Sequence, residues 1–234
     1  MITGIEGLPG SGKSYLAVEL IWKEMLKGRM VVTNMKNLFL RRMAYLVEKK
    51  RGIPKEQVLR NIRIIETKDV SRFHKLGIRN CTIVLDEVLL DFFSRDWAKQ
   101  PKENIHFFSQ HRKYRIDFIY ITQSIARIDA TLRDMTAEFI KMRNCANWRF
   151  MGAHLPNFFL ASHFAEDGKT RLRREYVFPS RMVYGFYDSW AFFDAGDIKI
   201  EPSNVVDLRP GAVRSANGAG AWKGELLFPD PSSG

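Results

Sequence analysis

Gly7-Leu-Pro-Gly-Ser-Gly-Lys13-Ser14 is a complete G-x-x-x-x-G-K-S/T element, and its reading decides the fold. Ile2–Glu6 before it reads as a short buried strand. Residues 13–27 after it carry Leu16, Leu20, Ile21 and Leu26 at helical spacing and end at Gly28. A glycine-rich turn between a strand and a helix lets backbone N–H groups close around a phosphate, and the helix dipole adds positive potential. In that arrangement Gly7, Leu8, Pro9, Gly10, Ser11 and Gly12 form the cradle. Lys13 bridges the β- and γ-phosphates, and the Ser14 hydroxyl ligates Mg²⁺. ATP and Mg²⁺ are the expected ligands.

Residues 82–85 (TIVL) read as a β-branched strand that delivers Asp86 at its C-terminal end, where open α/β sheets bind ligands. Asp86 is expected to hold the Mg²⁺, and the adjacent Glu87 to act as general base towards water. Two acids together favour transfer to water over transfer to a hydroxyl substrate. Residues 116–121 form a further strand, and Gln123 beyond its tip is expected to contact the γ-phosphate and the attacking water. Arg95, Arg112, Arg127 and Arg133 lie in segments that read as flanking this site. Arg112 and Arg133 are the catalytic candidates among them. An arginine supplied by a neighbouring subunit of a homo-oligomeric ring raises turnover ~10³–10⁵-fold in related chemistry.

Working outward, residues 30–33 and 62–65 read as strands, and residues 35–50, 104–113 and 125–135 as helices. Strands alternating with helices predict an α/β fold with a mostly parallel sheet flanked by helices. The pattern changes after Cys145. Residues 158–164, the turn Glu166-Asp167-Gly168 and residues 171–178 predict a small antiparallel β element. The expected organisation is a core over residues 1–145, a β-rich extension over 146–194, and a mobile tail over 195–234 rich in Pro, Gly, Ala, Ser and Asn.

The 234 residues are 45% apolar and 27% charged, which excludes a disordered or fibrous chain. The longest apolar runs fall far short of the ~18–20 residues that span a bilayer. Two cysteines, Cys81 and Cys145, exclude a disulfide framework, and Cys81 reads as a core thiol. The expectation is a reduced, soluble, intracellular segment without a signal peptide. Residues 27–79 hold 15 Lys and Arg against 4 Asp and Glu, the whole +11 excess of the chain. Such a segment suits an anionic membrane surface or single-stranded DNA, and the amphipathic stretch 35–50 lies within it.

The ordered set GLPGSGKS, VVTN (residues 31–34), IVLDE, SQHRKYRID (109–117), ITQ (121–123), IDATLRDMTAEF (128–139) and Tyr184-Gly-Phe-Tyr187-Asp188-Ser189 resembles the zonular occludens toxin family. That family includes the gene I assembly proteins of filamentous bacteriophages, and the resemblance extends over roughly residues 1–190. It implies a P-loop ATPase domain on the cytoplasmic face of the host inner membrane, driving virion assembly and extrusion with phage assembly and coat proteins as partners. Relatives continue into a membrane span and an external domain, whereas this sequence stops at Gly234. It therefore reads as a cytoplasmic fragment whose tail leads towards the membrane. Two other readings stay open. One is a P-loop kinase acting on a small molecule, with Arg171, Arg173 and Arg174 as a phosphate-clamping lid. The other is a non-hydrolysing nucleotide-binding scaffold of the assembly complex. His106 and His111 are spaced poorly for a metal pair, and Trp190, Phe192 and Phe193 read as core packing.

Overall fold

Strands and helices alternate from β1 (Ile2–Glu6) and α1 (Lys13–Leu26) through β2 (Met30–Thr33), α2 (Leu40–Arg51), α3 (Lys55–Arg60), β3 (Ile62–Ile64) and β4 (Cys81–Leu85). There follow α4 (Lys102–Ser109), β5 (Asp117–Thr122), a 3₁₀ turn at Ile125–Arg127, α5 (Ala130–Asp134) and β6 (Glu138–Asn144). The chain then forms β7 (Arg149–Phe150), β8 (Ala153–His154), β9 (Phe159–Ala165), β10 (Arg171–Val177) and α6 (Arg181–Tyr184). This computed structural model describes residues 1–66, 77–87, 102–146, 148–150, 153–154 and 156–188. Arg95, Ser189, Trp190, Phe192, Phe193 and the proposed tail lie outside the described residues.

Eight strands share one sheet in the order β10-β9-β6-β1-β5-β4-β2-β3. The six from β6 to β3 pair in parallel, while β9 runs antiparallel to both β6 and β10. A parallel sheet must be covered on both faces, so its strands become continuous apolar runs. β4 is buried at every position. Ile5, Val31, Val84, Ile121 and Ile140 face α1 and α2. Ile2, Val32, Ile83, Leu85, Phe118 and Tyr120 face α4 and α5. Cys81 sits in that second layer, where burial pushes its thiol up to about 11. The fold is an α/β P-loop architecture with an antiparallel hairpin, β9–β10, continuing its sheet.

Three expectations change. The helix expected from residue 35 starts at Leu40. The preceding residues are drawn into other hydrogen bonds instead: a local one from Met35 N to Thr33 Oγ1 at 3.2 Å, and tertiary ones from Asn37 Nδ2 to Asp188 O at 2.7 Å and Phe39 N to Phe186 O at 2.8 Å. Phe39, within the expected helix but before its observed start, is exposed. The helix expected over 125–135 is broken into a 3₁₀ turn and α5, because Asp129 caps a new start by accepting from Thr131 N at 2.7 Å. Finally, β6 is a strand the sequence did not reveal. Two of its charged residues find partners across the sheet, Lys141 with Glu6 at 3.2 Å and Glu138 with His163 Nδ1 at 2.7 Å, so an interior strand carries a polar sequence.

Candidate functional site

The loop between β1 and α1 is shaped by what touches its glycines. Gly12 caps α1 at φ 90°, a left-handed conformation that disfavours side chains, and an added Cβ would lie 2.6 Å from the Phe159 ring. At Gly7 an added Cβ would lie 2.7 Å from Met142 O, so the strand-to-loop junction packs directly on β6. Asn144 Nδ2 donates to Gly10 O at 3.0 Å and ties the loop crest to the end of β6. Among the described residues no side chain caps α1, and its first bond runs from Leu16 N to Gly12 O. The N–H groups of Lys13 and Ser14 therefore remain for an anion at the positive end of the helix. Ser11 Oγ is buried in the same loop, without a hydrogen-bond partner among the described residues.

Lys13 Nζ donates to Gly7 O at 2.8 Å and Leu8 O at 2.9 Å. Burial lowers its pKa, while the charges of Asp86 and Glu87 act in the opposite direction. Ser14 Oγ donates to Asp86 Oδ2 at 3.1 Å, which joins the two halves of the sequence motif in one contact. Asp86 is 7% exposed, and burial raises its pKa against the stabilising bonds from Ser14 and from Glu87 N at 2.9 Å. Its backbone is held by Asn34 at the end of β2: Asn34 Nδ2 donates to Asp86 O at 2.9 Å, and Asp86 N donates to Asn34 Oδ1 at 2.8 Å. Glu87 adopts φ 52°, an uncommon value for a residue with a side chain, and is exposed.

Because β5 lies between β1 and β4, its C-terminal end stands between the loop and Asp86. Gln123 is exposed there, one residue past the strand. Its neighbours are fixed: Ser124 N donates to Thr122 Oγ1 at 3.2 Å, and Ile125 N to Glu6 Oε2 at 3.0 Å. The Gly7–Ser14 loop, Asp86, Glu87 and Gln123 thus share one edge of the sheet.

The arginines divide differently. Arg112 precedes β5, at the opposite end of the sheet from the loop, so it does not flank the site of its own chain. Strand polarity dictates this, since β5 climbs from Asp117 towards Gln123. Arg133 lies on α5, on the sheet face away from α1, with Nη1 3.5 Å from Ala126 O. Arg171, Arg173 and Arg174 are held in β10, a strand and not a lid. His111 is buried and its Nδ1 meets Phe108 O at 2.7 Å, a structural role. Among the described residues no group of three His, Cys, Asp or Glu side chains gathers as a metal site. Mg²⁺ at Ser14 and Asp86 would thus draw its other oxygens from phosphates and water, its usual mode.

Asn34, Asn144, Glu6 and Phe159 belong to this site and were not read as functional. Of these only Asn34 carried a signal, as the last residue of VVTN at a strand tip.

A family model for zonular occludens toxin (Zot) matches residues 1–189. The chain belongs to this family. The gene 1 proteins of Salmonella phage IKe and Enterobacteria phage I2-2 are each 30% identical over 145 residues, covering 58% of this chain and 38% of theirs. The match to these Zot-family relatives thus spans well under half of their length. The N-terminal domain of zonular occludens toxin from Neisseria meningitidis has the same fold, with a TM-score of 0.53 and 20% identity over 80% of this chain and 98% of that one. Among the described residues of this Zot-family chain, no helix is long and apolar enough to cross a membrane.

Proposed function

We propose that this chain is an ATP-hydrolysing motor domain of a filamentous phage assembly protein, working as a homo-oligomeric ring at the cytoplasmic face of the host inner membrane. The observation that carries the reading is the Ser14–Asp86 hydrogen bond, with Glu87 exposed beside it. The loop N–H groups and the α1 N-terminus take the phosphates. Lys13 exchanges the Gly7 and Leu8 carbonyls for β- and γ-phosphate oxygens. Ser14 and Asp86 fit a small, hard cation, and Mg²⁺ there supplies charge neutralisation on the phosphates. Glu87 accepts the proton of a water that Gln123 orients; that water's oxygen bonds to the γ-phosphorus as the bond to the ADP oxygen breaks.

Oligomerisation carries the arginine requirement. Arg112 at the far edge of the sheet would serve only a neighbour packed against that edge, and Arg133 only one packed against the α5 face. Phage assembly and coat proteins are the partners this reading assigns. The exposed basic face of α2 is the surface it assigns to the anionic membrane.

Calorimetric binding of Mg·ATP and phosphate release without an added acceptor test the proposal together. Binding that Lys13→Ala abolishes, with release of phosphate into water, supports it. Phosphate transfer only to an added acceptor would favour the kinase reading, and binding without turnover the scaffold reading.

A further inference from the structure

The segment from Phe178 to Asp188 lies along the outside of α1, from Tyr15 in its first turn, next to the phosphate loop, to Trp22. Its attachments are specific. Ser180 N donates to Tyr15 Oη at 2.9 Å, and Tyr15 is the residue directly after Ser14. Trp22 and Phe186 pack with ring centroids 4.9 Å apart. The far end pairs with the segment after β2 through Phe39 N to Phe186 O, Asp188 N to Asn37 O at 3.0 Å and Asn37 Nδ2 to Asp188 O. Three tyrosine rings meet along this strap. Tyr184 lies 5.1 Å from Tyr15 at 58° and 6.4 Å from Tyr187 at 25°. Tyr15 also touches Phe159, 5.7 Å away, the ring that confines Gly12. Tyr15 and Tyr187 are buried, and Tyr187 is near enough to Asp86 for that carboxylate to help raise its pKa, after burial and the other two tyrosines. Tyr184 alone of the three is open, at 44% exposure.

We propose that Tyr184, backed by Tyr15 and Tyr187, is the surface on which the purine base of a bound nucleotide stacks. This rests on the nucleotide reading of the loop. Lys13 takes the β- and γ-phosphates and Ser14 the metal, so the α-phosphate and nucleoside leave the loop along the first turn of α1. That turn is where Tyr15 and Tyr184 stand. A rigid aromatic with one open flank offers a π-face, which favours stacking and is tolerant of base identity. The platform is built of three aromatic rings, so it recognises the face of a base more than its edge. The site therefore prefers purines over pyrimidines and separates adenine from guanine weakly.

Binding of Mg²⁺ complexes of ATP, GTP, CTP and inorganic tripolyphosphate, measured by calorimetry on the wild-type chain, Tyr184→Ala, Tyr184→Phe and Lys13→Ala, tests this. Tyr184→Ala is expected to raise the Kd of ATP and GTP about tenfold and leave tripolyphosphate unchanged, with Tyr184→Phe close to wild type. Lys13→Ala should weaken all four ligands, which reports on the loop alone. Unchanged ATP affinity in Tyr184→Ala, while Lys13→Ala still abolishes it, overturns the stacking role and leaves the loop reading intact. Equal loss of ATP and tripolyphosphate in Tyr184→Ala also overturns it, since the strap would then act through the loop. A wild-type chain that binds none of the ligands overturns both.

Discussion

Asn34 clamps Asp86 from the neighbouring strand, its amide closing hydrogen bonds of 2.9 and 2.8 Å on both backbone groups of the aspartate. β2 and β4 pair in parallel up to Thr33 and Val84, so the clamp continues the ladder with a side chain where the main chains diverge. The carboxylate of Asp86 then points at Ser14 from a fixed backbone.

Asn34→Ala leaves a buried N–H and C=O without partners, which costs about 1–3 kcal/mol. Urea denaturation should show that loss, with turnover reduced further than ATP affinity. Asn34→Asp can accept from Asp86 N but cannot donate to Asp86 O, and it adds a like charge. It should rescue neither property. Wild-type stability in both variants would show that water replaces the clamp.

Gly12→Ala meets both a left-handed φ and the Phe159 ring. The expected loss is about 1–3 kcal/mol, read as a lowered denaturation midpoint, together with lost ATP binding. Truncating the ring as well, in Gly12→Ala/Phe159→Ala, relieves the contact but not the backbone strain, so binding should stay impaired.

Burial raises the pKa of Asp86 above the ordinary aspartate value of 3.8, so the folded chain binds this proton more tightly than the unfolded chain. Its contribution to stability is complete below 3.8 and is lost as pH rises through the folded value. Asp86→Asn has no charge to bury, and its amide can still accept from Glu87 N. In the absence of nucleotide it should melt at or above the wild-type temperature at pH 8, with the difference shrinking as pH falls towards 3.8, while turnover is lost. A variant clearly less stable than wild type at pH 8 would contradict this.

The basic face of α2 is partly committed to packing. The Arg42 guanidinium lies where a Cβ on Gly185 would be 2.9 Å away, and Lys50 Nζ sits 5.8 Å from the Trp22 ring. Arg41, Lys49 and Arg51 are exposed and basic. Reversing these three to Glu should remove sedimentation with phosphatidylserine-containing vesicles at low salt, at about 1 kcal/mol per residue, without changing ATP affinity. Retained sedimentation would remove α2 as the membrane surface.

The phosphate loop was legible in the sequence because its chemistry is contiguous, and Asp86-Glu87 because a fully buried strand ends there. Gln123 was placed at the right sheet edge by the ITQ step. Arg112 does not flank the site of its own chain, because it precedes β5 and so lies at the far end of a strand that climbs towards Gln123. β6 was hidden because Glu138 and Lys141 find partners on β9 and β1, contacts that exist only in the assembled sheet. Asn34 and the Phe178–Asp188 strap are held by pairings across 52 to 165 residues of chain, which no local period encodes.

Phosphate release by Glu87→Gln beside the wild-type chain, with Mg·ATP affinity measured on the same samples over a range of protein concentrations, tests the central claim most directly. The account predicts that the wild-type rate per chain rises with concentration as subunits assemble. It predicts unchanged ATP affinity for the variant and a turnover ~10²–10⁴-fold lower, the usual worth of a positioned base. Wild-type turnover in Glu87→Gln would contradict it, as would a wild-type chain that binds Mg·ATP at every concentration and releases no phosphate.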